Sequence, residues 1–118
     1  MRQKDWPKRG EVWRVNFNPG RGSEQRGIRP ALIVQNDVGN RYASTTIVAA
    51  ITATIKLYPV TVFLEKGRAG MTRDSMVNLA QMLTIDKQRL TRRLGRVDPV
   101  KMAVVDEAMR VSLGLPEA

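Results

Sequence analysis

Only one stretch of this sequence carries a helical pattern with both ends marked. In "DPVKMAVVDEAMRVSLGL", Asp98 suits an N-cap, Pro99 the first helical position and Gly114 the residue just past the end. Val100, Val104, Ala108, Val111 and Leu115 recur at helical spacing and predict one apolar stripe. Everything ahead of Asp98 breaks into short apolar or alternating runs divided by turn chemistry. The expectation is a mainly β protein that ends in one α-helix.

The runs can be read one by one. "EVWRVNF" sets Val12, Arg14 and Asn16 against Glu11, Trp13, Val15 and Phe17, a period of two that predicts a strand with one buried face. "PALIVQN" (30–36) is continuously apolar and suits a central strand buried on both faces. "DVGNRY" reads as a turn, "STTIVAAITATI" (44–55) as a long β-branched strand, and "YPVTVFLE" as a further alternating strand. "KGRAGMTRDS" is a glycine-containing loop, and "MVNLAQMLTI" (76–85) is a strand bent near Ala80. "DKQRL" is too short for more than one helical turn. Five or six short strands and a terminal helix, with no repeats or linkers, predict an SH3-like partly open β-barrel, because closure removes exposed edges. The whole chain, 1–118, reads as one domain, with 1–9 as an N-terminal arm.

Charge and missing residue types narrow the chemistry. Among 118 residues there are 20 Lys+Arg against 11 Asp+Glu, a formal charge of +9 that would attract phosphate backbones, acidic proteins or anionic membranes. There is no Cys, which excludes disulfides and thiolate metal sites, and no His, which removes the commonest general acid/base and metal ligand. No acidic cluster has ligand spacing, so no metal or cofactor is expected. No segment approaches the ~18 apolar residues of a membrane span. The opening "MRQKDWPKRG" lacks the apolar segment of a secretory signal, so a cytoplasmic protein is expected.

The candidate site residues gather around the loop "GSEQRGIRP" (22–30). Gly20, Gly22 and Gly27 permit close backbone approach, and Arg21, Arg26 and Arg29 add positive charge. The plain alternative is a solvated hairpin loop whose arginines pair with Glu24. Arg29 stands next to Pro30 at the strand-anchored end, where a side chain is held more firmly than at a loop tip. Thr52 lies near the end of an apolar strand. If the two strands are neighbours, a guanidinium and a hydroxyl converge on one phosphate; alone, Thr52 reads as a β-favouring residue bonded to backbone. Phe17 and Tyr58 sit at strand–loop junctions where an aromatic could stack a base, whereas Trp13 and Phe63 read as core. The basic run "DKQRLTRRLGR", broken by Leu90 and Leu94, reads as a solvated face with anchored points that aids solubility or widens a nucleic-acid footprint.

"RGEVWRVNFNPGRGSEQRGIRPALIVQND" resembles the opening of the MazF/PemK-type toxins of bacterial toxin–antitoxin modules, whose barrel is shared with the CcdB-type toxins. "GNRY", "TTIVAAITA", "RDSMVNLAQMLTIDKQRL" and "VDEAMRVSLGL" continue the likeness over about residues 9–115. The resemblance implies a homodimeric SH3-like barrel and a sequence-specific, metal-independent endoribonuclease of single-stranded RNA. It implies a cognate antitoxin as partner, contact with DNA only through the antitoxin complex, and no membrane. Carried over by position, the catalytic arginine falls on Arg29 and the catalytic threonine on Thr52, with Glu24 as an accessory group or base. Glu24, Gln25 and Gln81 fall on positions that line the family's substrate groove, and Ser23, Arg26, Phe17 and Tyr58 are further candidate RNA contacts. Arg26, Ala80 and the short "TIKLYP" connection depart from the family pattern. Two other readings remain: a gyrase-inhibiting toxin of the same fold, and a barrel that binds nucleic acid without cutting it.

Overall fold

A computed structural model describes residues 6–19 and 26–117. Six strands form one antiparallel sheet in the order β4-β5-β3-β2-β1-β6. In chain order these are β1 (Glu11–Asn16), β2 (Ile28–Ile33), α1 (Asp37–Tyr42), β3 (Thr45–Thr52), β4 (Thr61–Leu64), β5 (Ser75–Asp86), β6 (Leu90–Arg96) and α2 (Pro99–Leu113). The continuous apolar run of β2 lies between β1 and β3, where both faces are covered. Leu32 and Ala49 face one apolar cluster, while Ala31, Ile33 and Val48 face the other side. The first cluster is the barrel interior and takes in Val105 and Ala108 of α2; the second holds Val15, Phe17, Ile85 and Leu90.

The barrel is partly open. Its two edge strands, β4 and β6, are not paired with each other; instead the loop after β4 presses onto β6. A methyl group at Gly95 would lie 2.4 Å from the carbonyl carbon of Ala69, and one at Gly70 would lie 2.2 Å from the carbonyl oxygen of Leu94. Backbone meets backbone at this seam, so only glycine fits. Glu11, almost fully buried, ties the seam strand to its neighbour: its carboxylate accepts from Lys8 N (2.8 Å), Trp13 Nε1 (3.0 Å) and Arg93 Nη1 (3.1 Å). Three donors satisfy a charge that burial would otherwise penalise.

β5 serves two partners. On β3 the pairing steps from Ala49↔Met82 to Ala50↔Asn78, so one residue of β3 spans four of β5 and Leu79–Gln81 bulge out. This is the bend expected near Ala80. It lets the upper half of β5 pair with β4, and Ser112 Oγ of α2 donates to the Leu79 carbonyl at 2.6 Å.

Several expectations change. The strand beginning at Ser44 ends at Thr52 rather than Ile55. β1 is buried on both faces, because Val12 enters the barrel interior while Val15 joins the second cluster. "DVGNRY" is a short helix rather than a turn: Asn36 caps it by accepting from Gly39 N at 2.8 Å, and Asn40 is buried on Thr46 and Gln35. The basic run 90–96 is a full edge strand, held by β1 on one side and by the glycine seam. α2 has the expected caps, with Asp98 accepting from Lys101 N and Gly114 at φ 68°. Its buried face, however, carries Val105 and Ala108, while Val100, Val104, Val111 and Leu115 are exposed. The helix turns inward the side that also carries Ser112, whose hydroxyl satisfies the β5 bulge.

Gly95→Ala should therefore lower the unfolding free energy by about 2 kcal/mol or more, the scale of overpacking against fixed backbone. Urea unfolding measures it. A change within about 0.5 kcal/mol would mean that the seam yields easily.

Candidate functional site

The β2–β3 pairing runs Ala31↔Ala50, Leu32↔Ala49, Ile33↔Val48. Continued two residues in the same register, it sets Arg29 across from Thr52. Opposed residues of antiparallel strands point to the same side, with Cβ atoms about 4.5–5.5 Å apart. By strand alternation that side is the one holding Ala31, Ile33 and Val48 of the second apolar cluster. Arg29 is exposed and Thr52 half-buried. Pro30, which has no N–H, sits between Arg29 and the first paired residue of this ladder.

Arg29 is held from behind. Its backbone pairs with Val15 of β1, and its Nε donates to the Arg26 carbonyl at 3.0 Å. Arg29 is exposed, and a guanidinium carries a two-pronged donor set whose geometry matches phosphate oxygens. The Thr52 hydroxyl accepts from Thr54 N at 3.1 Å, which orients it and leaves its own proton to donate. The connection after Thr52 folds back over this end: Lys56 N donates to Met76 Sδ at 3.3 Å, and Met76 is the β5 residue opposite Thr52. Thr61 Oγ1 donates within the same connection, whose Leu57 and Tyr58 are exposed.

The base of the loop is a tight neck. Phe17 N donates to the Gly27 carbonyl (2.8 Å), Gly27 N to Asn18 Oδ1 (2.8 Å), and Asn18 N to Asn16 Oδ1 (3.0 Å). Gly27 adopts φ 74°, a left-handed turn that glycine makes cheaply. Across the neck, Arg89 donates to the carbonyls of Asn16 (3.0 Å) and Asn18 (2.7 Å). The sequence reading passed over Asn16, Asn18 and Arg89. The available signal was turn chemistry at both ends of the loop, "NP" on one side and Gly27 on the other.

The remaining site candidates divide. Ser23, Glu24 and Gln25, with Gly20, Arg21 and Gly22, lie outside the described residues. Arg26 is exposed beside Arg29, whose side chain leans on its carbonyl. Gln81 is half-buried in the β5 bulge, facing the Ala49–Ala50 step that leads to Thr52. Tyr58 is 48% exposed. Phe17 does not fit its expected part: at 6% exposure it is packed into the second cluster, and no ring face is open for a base.

The described carboxylates are engaged away from Arg29. Asp37, Asp74, Asp86 and Asp98 accept from backbone N–H groups, and Glu11, Glu65, Asp106, Glu107 and Glu117 pair with arginines. The arginine beside Glu107 holds that carboxyl below its usual range. No described carboxylate pairs with Arg29, and among the described residues no group of three or more acidic side chains could hold a metal ion.

Comparison with known proteins fits this geometry. The sequence pattern of the PemK-like, MazF-like toxins of type II toxin–antitoxin systems matches residues 8–113. The chain is 49% identical over 110 residues to the endoribonuclease EndoA of Bacillus subtilis (strain 168), covering 92% of this chain and 95% of that protein. A mycobacterial endoribonuclease, solved in complex with its cognate antitoxin, superposes with a TM-score of 0.80 at 28% identity, over 95% of this chain and 99% of that one. MazF from Deinococcus radiodurans superposes with a TM-score of 0.80 at 25% identity, over 93% and 98% of the two chains.

Burial separates the two junction aromatics. Phe17→Ala is expected to cost about 3–5 kcal/mol of stability, whereas Tyr58→Ala should stay within about 0.5 kcal/mol. Denaturant titration of both variants checks this, and equal effects would contradict the assignment of Phe17 to the core.

Proposed function

The chain belongs to the PemK-like, MazF-like toxins of type II toxin–antitoxin systems, and on that premise we propose that it is an endoribonuclease that cuts single-stranded RNA at defined sequences without a metal ion. What supports this is the β2–β3 register, which, continued past Pro30, would set the Arg29 guanidinium and the Thr52 hydroxyl on one side of the sheet.

RNA carries its own nucleophile, so this chemistry needs neither His nor a metal. The 2′-oxygen attacks the adjacent phosphorus in line, its proton passes to a base, and the bond from phosphorus to the 5′-oxygen breaks. The 5′-oxygen takes up a proton, leaving a 2′,3′-cyclic phosphate and a 5′-OH. Arg29 stabilises the charge on the phosphorane through its terminal nitrogens, and Thr52 donates to a non-bridging oxygen. Arg29 is a poor proton donor to the leaving oxygen, because a guanidinium holds its proton tightly. Glu24 is the candidate base, since the described carboxylates are engaged elsewhere. Ser23, Gln25, Arg26, Tyr58 and Gln81 are the candidate RNA contacts.

A cognate antitoxin is the protein partner, as in the mycobacterial and Deinococcus complexes. Its C-terminal segment would cover the RNA groove of a homodimer, and DNA would be met only through that complex. No helix among the described residues is long and apolar enough to cross a membrane, and a cytoplasmic site of action suits an RNA substrate.

Incubation with long mixed-sequence RNA in EDTA, followed by mapping of 5′ ends, tests the activity. Cuts at short defined sites are expected; RNA bound but left whole would favour a binding barrel. A substrate with a 2′-deoxy sugar at the scissile position should survive, and its cleavage at the normal rate would rule out 2′-OH attack. Arg29→Ala should lower kcat by roughly 10²-fold or more while RNA affinity falls less than about tenfold. Equal losses would make Arg29 a binding residue only.

A further inference from the structure

Arg89 does something the chemistry above does not use. It closes the 3₁₀ turn Lys87–Arg89 between β5 and β6 and is half-buried. That turn is fixed at its start: Asp86 accepts from Gln88 N at 2.8 Å, Lys87 N donates to the Ser44 carbonyl at 3.0 Å, and the Lys87 ammonium donates to the Asn40 carbonyl. The β1–β6 ladder begins at Leu90, which pairs with Val15. Beyond Val15 the chain of β1 runs on with no strand beside it on that side. Arg89 takes over there, and a single terminal nitrogen donates to the carbonyls of Asn16 and Asn18. In effect a side chain continues the ladder past its last backbone pair.

What it grips leads to Arg29. Asn18 receives Gly27 N on its side-chain oxygen, Gly27 receives Phe17 N on its carbonyl, and Arg26, next in the chain, receives Arg29 Nε. The path from Arg89 through Asn18, Gly27 and Arg26 to Arg29 is continuous hydrogen bonding and covalent chain. We infer that Arg89 is a positioning residue for RNA cleavage: it sets the neck of the loop and thereby the aim of the Arg29 guanidinium. This rests on the ribonuclease reading above. A planar, weakly hydrated guanidinium can serve two carbonyls from one nitrogen, whereas a lysine ammonium is a strongly hydrated point charge on a looser stem. Arg89 is therefore more than one charge in a solubilising run.

The test compares Arg89→Met, which keeps the apolar stem, and Arg89→Lys with the full-length protein. Amide exchange should quicken at least about tenfold at Gly27 and Phe17 and stay unchanged at Val77 and Val97 in the barrel interior. With a cleavable RNA, kcat should fall by about 30-fold or more in Arg89→Met while KM moves less than about threefold, because a misplaced catalytic group costs turnover rather than binding. Arg89→Lys should recover only part of the loss. In an Arg29→Ala background, Arg89→Met should add less than about twofold, since the group it positions is gone. Multiplying losses in that background would overturn the inference, as would a loss confined to KM or faster exchange throughout the interior. If the wild-type protein leaves RNA uncut, the ribonuclease reading fails separately. The exchange arm still decides the neck: unchanged exchange at Gly27 refutes it.

Discussion

The antiparallel pairing of β2 with β3 is the constraint from which the rest follows. At its centre, Ala31, Ala49 and Ala50 are small enough for both faces of the sheet to be packed closely. Leu32 and Ala49 look into the barrel, where α2 closes the interior; Ile33 and Val48 look into the second cluster. A slip of one residue in this pairing would exchange the two faces and bury the wrong side chains everywhere. The same register, carried past Pro30, brings Arg29 level with Thr52. The interaction that fixes the core therefore also sets where the two proposed catalytic residues stand on their strands.

Among the described residues, the carboxylates are engaged away from Arg29. Glu11 is buried under three donors, and the other described carboxylates are spent on helix caps, loop amides and surface arginines. No described carboxylate pairs with Arg29. This suits a substrate that supplies its own nucleophile, because what the protein must contribute is position and a stabilised phosphorane.

Much of this was legible in the sequence where a local signal matched the final packing. The caps of α2, the doubly buried β2 and the bend of β5 near Ala80 are of that kind. Arg29 and Thr52 were legible as a pair only if their strands were neighbours, a condition that long-range pairing supplies and local pattern cannot. Other features depended wholly on tertiary partners. The strand 90–96 is strongly charged and shows little alternation; it exists because β1 offers a free edge and Gly70 and Gly95 let the backbones touch. The exposed stripe of α2 was the more apolar one, yet Ser112 is needed inward for the Leu79 carbonyl. Phe17 looked like a base platform from its place beside a loop, but the second cluster beneath it cannot be seen from β1 alone. The part of Arg89 was hidden for the same reason, since its acceptors lie on β1, far away in sequence.

The central claim is that Arg29 and Thr52 act as one unit on one phosphate. A double-mutant cycle on single-turnover RNA cleavage tests it most directly, with Arg29→Ala, Thr52→Val and the double variant. If the two groups share a transition state, the double variant should be about as slow as the worse single one, the non-additivity of residues that work together. If the two losses multiply, the groups act independently and the account built on the β2–β3 register is wrong.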